Sequence, residues 1–184
     1  MNIEIISGSP RTQSISYRVA VHLKKTLKEK TQHNIGLIDV RENDLGLLQN
    51  VFTSVDNTPE KHKLLSERIF SADAFILVSP EYNGSYSPAL QNLLDHYPKQ
   101  AHKAFGIVTS SPGIMGGMRA AQRLVSLVPG LFGITSPYML LVPAVEKKFD
   151  EQGNLIDPAF ENSINNFVAE FIWLAEALQA KKQV

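Results

Sequence analysis

Short apolar runs alternate with helix-type patterns along the whole chain, and this alternation limits the possible folds more than any other feature. Each run has the length of a strand, and an amphipathic segment separates it from the next. The predicted strands cover residues 3–6, 35–40, 74–78, 104–109 and 138–142. The predicted helices cover residues 14–30, 59–71, 88–96, 118–127 and 158–180. A surface loop is predicted at residues 41–58. Repeated β–α units predict one α/β domain over residues 1–184, with a parallel sheet and helices on both faces.

The loop after the first predicted strand has the composition of a phosphate-binding loop. Residues 7–16 read SGSPRTQSIS and lead directly into the first predicted helix. The N–H groups at a helix N-terminus have no partner within the helix, and the helix dipole adds positive charge there. Ser9, Ser14 and Ser16 offer hydroxyl groups, and Arg11 offers a planar guanidinium fork. The same residues would also suit a plain turn with Ser14 as the N-cap, so the loop alone leaves both interpretations open.

Two further loops belong to the same edge of the predicted sheet, because the carboxyl ends of parallel strands meet there. In residues 79–86, Pro80 stiffens the exit from the strand and Asn83-Gly84 can adopt positive φ, which would turn N–H groups to one side. Fixed N–H donors stabilise a ring that gains negative charge when it gains electrons. Residues 110–117 contain three glycines, which let backbone approach a flat ligand closely. Each loop could also be a simple turn, but together the three loops predict a mononucleotide site with a flat ring.

Several classes of function are excluded by what the sequence lacks. Gly8 is the only glycine of the first loop, so neither a Walker A loop nor a dinucleotide fingerprint is present. Lys plus Arg equals Asp plus Glu at 18 each, which gives no basis for a nucleic-acid partner, and the absence of cysteine excludes thiolate sites. The five histidines show no metal-ligand spacing, and no Gly-x-Ser-x-Gly motif occurs. We see no leader pattern and no apolar run near the ~18 residues of a membrane span, so a cytoplasmic protein is expected.

The loop motifs carry a resemblance to a known family. Residues 8–16 (GSPRTQSIS) and 80–95 (PEYNGSYSPALQNLLD) resemble loops of the NADPH-dependent FMN reductase family. This is the flavodoxin-like group that includes chromate, quinone and azo-dye reductases. Residues 110–117 are also similar to that family, and the resemblance covers roughly residues 3–142. The Pro-Glu-Tyr-Asn stretch is its most specific part.

The resemblance implies both a fold and a cofactor. The implied fold is a flavodoxin-like three-layer sandwich with a five-stranded parallel sheet in the order 2-1-3-4-5. The implied cofactor is FMN, bound across the three loops. Its phosphate ligands would be Ser9, Arg11, Ser14 and Ser16, and its ring contacts would be Pro80, Glu81, Tyr82, Asn83 and Gly84 on one edge and Ser110, Gly113, Gly116 and Gly117 on the other. The family usually forms dimers or tetramers, so a homodimer or homotetramer is expected.

The implied function is that of an NAD(P)H-dependent FMN or quinone reductase. Hydride would pass from NADPH, or NADH, through FMN to a quinone or similar small acceptor in a ping-pong mechanism. No side chain would be catalytic, because the flavin carries the chemistry. Arg11, and less directly Arg119, would bind phosphates of the nicotinamide nucleotide, and Glu81 could be a general base or a solvated or interface charge. The alternative is a flavodoxin-type electron carrier, or a redox-responsive module that holds FMN without NADPH turnover.

Overall fold

The computed structural model describes residues 1–182 and contains one parallel sheet. Its strands are β1 (Asn2–Ser7), β2 (Asn34–Asp39), β3 (Ala74–Pro80), β4 (Ala104–Ser111), β5 (Ile134–Thr135) and β6 (Leu140–Pro143). The strand order is β2-β1-β3-β4, and both β5 and β6 pair with β4 along its outer edge. The predicted order 2-1-3-4-5 is therefore confirmed, with two short strands sharing the fifth position.

Five α-helices cover the two faces of this sheet. They are α1 (Ile15–Lys30), α2 (Lys63–Ser71), α3 (Pro88–Asp95), α4 (Met118–Gly130) and α5 (Glu161–Lys182). On one face, Leu23 of α1 and Phe171 of α5 share a buried cluster with Ile5 of β1. On the other face, α2, α3 and α4 contribute to a second cluster, in which Leu90 of α3 joins Leu77 of β3. Since successive strand side chains point to opposite faces, one sheet supplies both clusters, and the result is the predicted flavodoxin-like three-layer sandwich.

The last predicted strand, residues 138–142, differs from the structure. β6 begins and ends slightly later along the chain, and β5 lies before it as a strand that the sequence did not predict. A strand of two residues is too short to show any periodicity. Pro137 separates β5 from β6 because proline has no N–H for the ladder. Gly133 brings the chain close to β4, where an added Cβ would lie 2.4 Å from the ring of Phe105.

Two predicted helices begin with a tighter turn than expected. The helix predicted at 59–71 starts as a 3₁₀ turn at Glu60–His62 before α2, and the helix predicted at 158–180 starts as a 3₁₀ turn at Pro158–Phe160 before α5. A proline stands at or just before each start, and short 3₁₀ turns are common at helix N-termini. Within residues 1–182, no helix combines the length and the apolar character needed to cross a membrane.

Two aromatic residues of α5 have different environments. Phe171 is fully buried and stacks on Phe167 with ring centroids 6.2 Å apart. Trp173 is 65% exposed. Phe171 therefore belongs to the core, whereas Trp173 lies at the surface of this single chain.

Candidate functional site

Three strands that lie side by side end at one edge of the sheet, and the candidate site lies beyond their ends. β1, β3 and β4 are neighbours, and the loops that follow them are loop A (residues 8–14), loop B (residues 81–87) and loop C (residues 112–117). A cavity of about 240 Å³ lies between these loops. It is lined by Ser9, Arg11, Gln13, Ser14, Ile15, Ser16, Pro80, Glu81, Tyr82, Ser110, Ser111 and Pro112. The structure therefore brings most of the predicted site residues to one place.

Loop A is held against the sheet and against α3. The N–H of Gly8 donates to the carbonyl oxygen of Val78 at 2.8 Å, and the hydroxyl of Ser87 donates to the carbonyl oxygen of Gly8. An added Cβ at Gly8 would lie 2.9 Å from the Cβ of Leu90, so glycine is required here by the close approach of α3. Ser87 is also the N-cap of α3, where its Oγ accepts from the N–H of Leu90 at 3.1 Å. One serine therefore connects loop A to the start of α3.

The N-terminus of α1 opens into the cavity. Ser14 is its N-cap, and the Ser14 Oγ accepts from the N–H of Tyr17 at 3.2 Å. The hydroxyl groups of Ser14 and Ser16 lie 3.0 Å apart, and both residues line the cavity. The first turn contains no acidic residue, so the positive end of the helix dipole is not neutralised within the helix. This geometry suits an anionic group such as a phosphate.

Arg41 fixes loop A from outside the cavity, and sequence reasoning missed it. Its guanidinium donates to both carboxylate oxygens of Asp39 and, at 3.0 Å, to the carbonyl oxygen of Thr12. It also lies over the ring of Tyr17, with Cζ 4.3 Å from the ring centroid. The hydrogen bonds that the guanidinium donates to the Asp39 carboxylate raise the pKa of Arg41, so the clamp that Arg41 forms on loop A keeps its charge. The strand order 2-1-3 could have indicated this contact, because it places the end of β2, and therefore Asp39, beside loop A.

Loop B presents Tyr82 to the cavity on a tight hairpin. Tyr82 and Ser85 exchange two backbone hydrogen bonds of 2.8 and 3.0 Å around a two-residue turn. Asn83 and Gly84 have φ of 52° and 78°, so the predicted positive φ is confirmed at both residues. These two residues do not line the cavity. They instead set the direction of Tyr82, and Cζ of Arg11 lies 4.7 Å from the centroid of its ring.

Loop C contributes fewer of its predicted residues. Gly113, Gly116 and Gly117 do not line the cavity, whereas Ser111 and Pro112, which were not singled out, do. Gly116 and Gly117 both have positive φ, and an added Cβ would lie 2.9 Å from other atoms at either position. At Gly116 those atoms belong to the backbone of β6, and at Gly117 the nearest is a side-chain atom of β4. These two glycines therefore allow loop C to pack closely on the sheet.

Ser110, at the end of β4, carries a buried hydroxyl group without a partner. Within residues 1–182, its Oγ has no hydrogen-bonding partner although the residue is only 2% exposed. Ser110 lines the cavity. A buried polar atom without a partner costs free energy, and this cost disappears when a bound group supplies the hydrogen bond. Among the described residues with such an atom, Ser110 is the one that lines this cavity, so a group bound there would supply the missing hydrogen bond.

Glu81 connects loop B to α4. Its Oε2 accepts from the backbone N–H groups of Arg119 and Ala120 at 3.1 and 3.3 Å, and its Oε1 lies 4.0 Å from Nη1 of Arg119. The carboxylate therefore caps the N-terminus of α4, although the two segments are 38 positions apart in the chain. The sequence allows Glu81 to be a general base or a solvated or interface charge, and the structure adds that its side chain caps a helix.

The residues of the cavity fit FMN. The N-terminus of α1, with its hydroxyl groups and without an acidic residue in its first turn, suits a phosphate, and the aromatic ring of Tyr82 suits a flat ring system. The hydroxyl of Ser110 offers a hydrogen bond to a polar ring edge. Within the part of the chain that the structure describes, no three His, Asp or Glu side chains come together in an arrangement that could hold a metal ion.

Two solved structures with a similar fold are a flavoenzyme and a flavodoxin. FerB, a flavoenzyme NAD(P)H:(acceptor) oxidoreductase from Paracoccus denitrificans, superimposes with a TM-score of 0.80 at 21% identity, over 96% of this chain and 97% of that chain. A flavodoxin variant from Pseudomonas aeruginosa gives a TM-score of 0.59 at 19% identity, over 93% of this chain and 99% of that chain. The fold and the cavity therefore define a flavodoxin-like protein with its candidate site at the carboxyl edge of the sheet.

The family follows from sequence comparison. Residues 1–146 match the family described as NADPH-dependent FMN reductase. "Probable NADPH:quinone oxidoreductase 2" from Oryza sativa subsp. japonica is 30% identical over 98% of this chain and 92% of that protein. "FMN-dependent NADPH-azoreductase" from Staphylococcus aureus is 30% identical over 91% of this chain and 92% of that protein. The chain belongs to the NADPH-dependent FMN reductase family, and it is an oxidoreductase that uses FMN with NAD(P)H as electron donor.

The clamp on loop A can be tested with Arg41→Lys. Lysine keeps the charge but cannot hold Asp39 and the Thr12 carbonyl at the same time, so we expect the Kd for FMN to rise by about tenfold. Arg68→Lys is the matched control, because Arg68 makes a similar fork to Glu4 with bonds of 2.9 and 2.5 Å. Fluorescence titration with FMN measures both variants. An equal effect on the Kd in the two variants would contradict a specific role for Arg41.

Proposed function

We propose that the cavity between loops A, B and C holds FMN, with the phosphate at the N-terminus of α1 and the ring between loops B and C. The observation that carries this proposal is that two groups able to bind a ligand line one cavity. One is the positive end of α1, which has no acidic residue in its first turn, and the other is the buried hydroxyl of Ser110. The N-terminus of α4 is the competing anion site, and Glu81 already occupies it.

The proposed ligands follow from these positions. Ser9, Ser14 and Ser16 donate hydroxyl hydrogen bonds to the phosphate, and Arg11 adds a positive charge at the cavity wall. The backbone of residues 80–82 contacts one edge of the ring, and Asn83 and Gly84 form the turn that holds this segment in place. Ser110 and the neighbouring backbone of loop C contact the other edge. Gly113, Gly116 and Gly117 support this second edge through the packing of loop C rather than through the cavity wall.

The chemistry needs no catalytic side chain. When bound, FMN supplies hydride transfer between NADPH and a quinone or similar small acceptor, in a ping-pong sequence because both reactants use the same open side of the cavity in turn. The side chains of the protein bind and orient the reactants. Arg11 is exposed beside the cavity and Arg119 is 73% exposed at the start of α4, so both are available to the phosphates of the nicotinamide nucleotide.

Arg11→Ala tests the role of charge at the mouth of the cavity. We expect the Kd for FMN or the KM for NADPH to rise by about tenfold, because a charge-assisted hydrogen bond to phosphate is lost. Lys28→Ala removes a charge from the opposite end of α1 and serves as the control. Flavin titration and steady-state kinetics measure the two constants. An Arg11→Ala variant that keeps both constants at the wild-type value would remove this role.

The visible absorption spectrum of the protein with FMN, before and after anaerobic addition of NADPH, tests the function itself. We expect a bound flavin band that bleaches promptly, since the reductase accepts electrons from NADPH without a partner enzyme. A bound band that does not bleach would favour the alternative, a flavodoxin-type electron carrier or a redox-responsive module. No bound band would mean that the cavity is not an FMN site.

We also propose that the protein is a cytoplasmic homodimer or homotetramer, with loop B and α3 at the interface. The family resemblance supports this assembly. Loop C leaves the same edge of the sheet as loop B and carries two exposed apolar side chains that the interface would also cover: Ile114 is 94% exposed and Met115 is 57% exposed. Sedimentation velocity at micromolar protein concentration is expected to give a species of two or four chains, and a monomer would contradict the proposal.

A further inference from the structure

The start of α4 depends on a residue from another loop. Gly117 precedes the helix with φ of 85° and has no side chain to cap it. The backbone N–H groups of Arg119 and Ala120 are instead satisfied by the carboxylate of Glu81 at 3.1 and 3.3 Å. Glu81 directly follows β3 and lines the cavity, so a cap of α4 is anchored at the wall of the proposed FMN site.

This contact spans the gap between loops B and C. The pairing of β3 with β4 ends at Pro80 and Ser110, and loops B and C begin beyond this last pair. The far end of loop C is held at one side by the hydroxyl of Thr109, which donates to the carbonyl oxygen of Gly116 at 2.9 Å. The cap by Glu81 holds the residues that follow. The spacing between loop B and the end of loop C that leads into α4 therefore depends on the Glu81 side chain.

The cap also neutralises a charge beside the site. The carboxylate faces the positive end of α4 and lies 4.0 Å from the guanidinium of Arg119. A free carboxylate at this wall would oppose a ring that gains negative charge on reduction. Because the Glu81 carboxylate caps α4, the positive end of that helix compensates its negative charge at the wall of the cavity.

We propose that Glu81 is a positioning residue, whose side chain sets the width of the FMN slot by fixing α4 and loop C relative to loop B. This inference rests on the proposed function of the cavity. Glu81 does not transfer a proton, and it does not bind the reactants through its charge. The role requires a side chain at position 81 with an oxygen acceptor that reaches the N–H groups of Arg119 and Ala120.

Three substitutions at position 81 distinguish the effect of side-chain length from the effect of charge. Glu81→Gln keeps the length and one oxygen acceptor but removes the charge, Glu81→Asp keeps the charge but shortens the reach, and Glu81→Ala removes both. We expect Glu81→Asp and Glu81→Ala to raise the Kd for FMN by about tenfold, because binding would then also have to order the uncapped start of α4. Glu81→Gln recovers most of this loss, and its kcat has the same pH profile as that of the wild type.

Asp157→Ala provides a control for general loss of stability. Asp157 also caps a helical turn, where its Oδ1 accepts from the N–H of Ala159 at 3.2 Å, and it pairs with Lys148. It does not line the cavity. We expect this variant to unfold at a lower temperature while its Kd for FMN stays at the wild-type value.

Amide hydrogen exchange in the protein without FMN gives a readout that does not depend on the cofactor. Protection at Arg119 and Ala120 should fall in the Glu81→Asp and Glu81→Ala variants and persist in Glu81→Gln. If Glu81→Gln is as impaired as Glu81→Ala, or if Glu81→Asp binds FMN like the wild type, the charge acts directly and the proposal is overturned. Wild-type protein that binds no FMN would overturn the proposed function and this inference together, whereas normal FMN binding by Glu81→Ala would overturn this inference alone.

Discussion

The parallel register of three neighbouring strands is the constraint on which the rest of the site depends. β1 pairs with β3 and β3 pairs with β4, so loops A, B and C leave the sheet at one edge although they lie far apart in the sequence. The glycine at position 8 lets α3 approach that edge, and Ser87 joins the start of α3 to loop A. Binding groups can then be supplied by short loops, because the sheet has already brought their ends together.

The N-termini of α1 and α4 both lie at this edge, but they face different groups. The first turn of α1 has no acidic residue, and its hydroxyl groups face the cavity. The first turn of α4 receives the carboxylate of Glu81. An anion that enters the cavity therefore meets one positive helix end and not two, and under the proposed function this difference would orient a ligand that has a phosphate at one end and a ring at the other. Arg41 maintains this arrangement from outside by fixing the backbone of loop A at Thr12.

Much of the fold was predictable from the sequence because buried parallel strands are continuous apolar runs and helices repeat at their own period. The order of the strands came from the family resemblance. β5 was missed because two residues carry no periodicity. In the site, composition located all three loops, but it could not distinguish glycines that face a ligand from Gly116 and Gly117, which pack on the sheet. Arg41 acts on loop A through Thr12, and Glu81 acts on α4 through Arg119. Both partners are distant in the sequence, so no local pattern revealed these roles.

The position of the phosphate tests the central claim most directly, and a crystal structure of the protein with FMN would measure it. The account predicts phosphate oxygens within hydrogen-bonding distance of the first-turn N–H groups of α1 and of the hydroxyl groups of Ser14 or Ser16. It also predicts the flavin ring between Tyr82 and Ser110, with Glu81 still on the N–H groups of Arg119 and Ala120. A phosphate at the N-terminus of α4 in place of the Glu81 carboxylate, or FMN outside the cavity, would contradict the account.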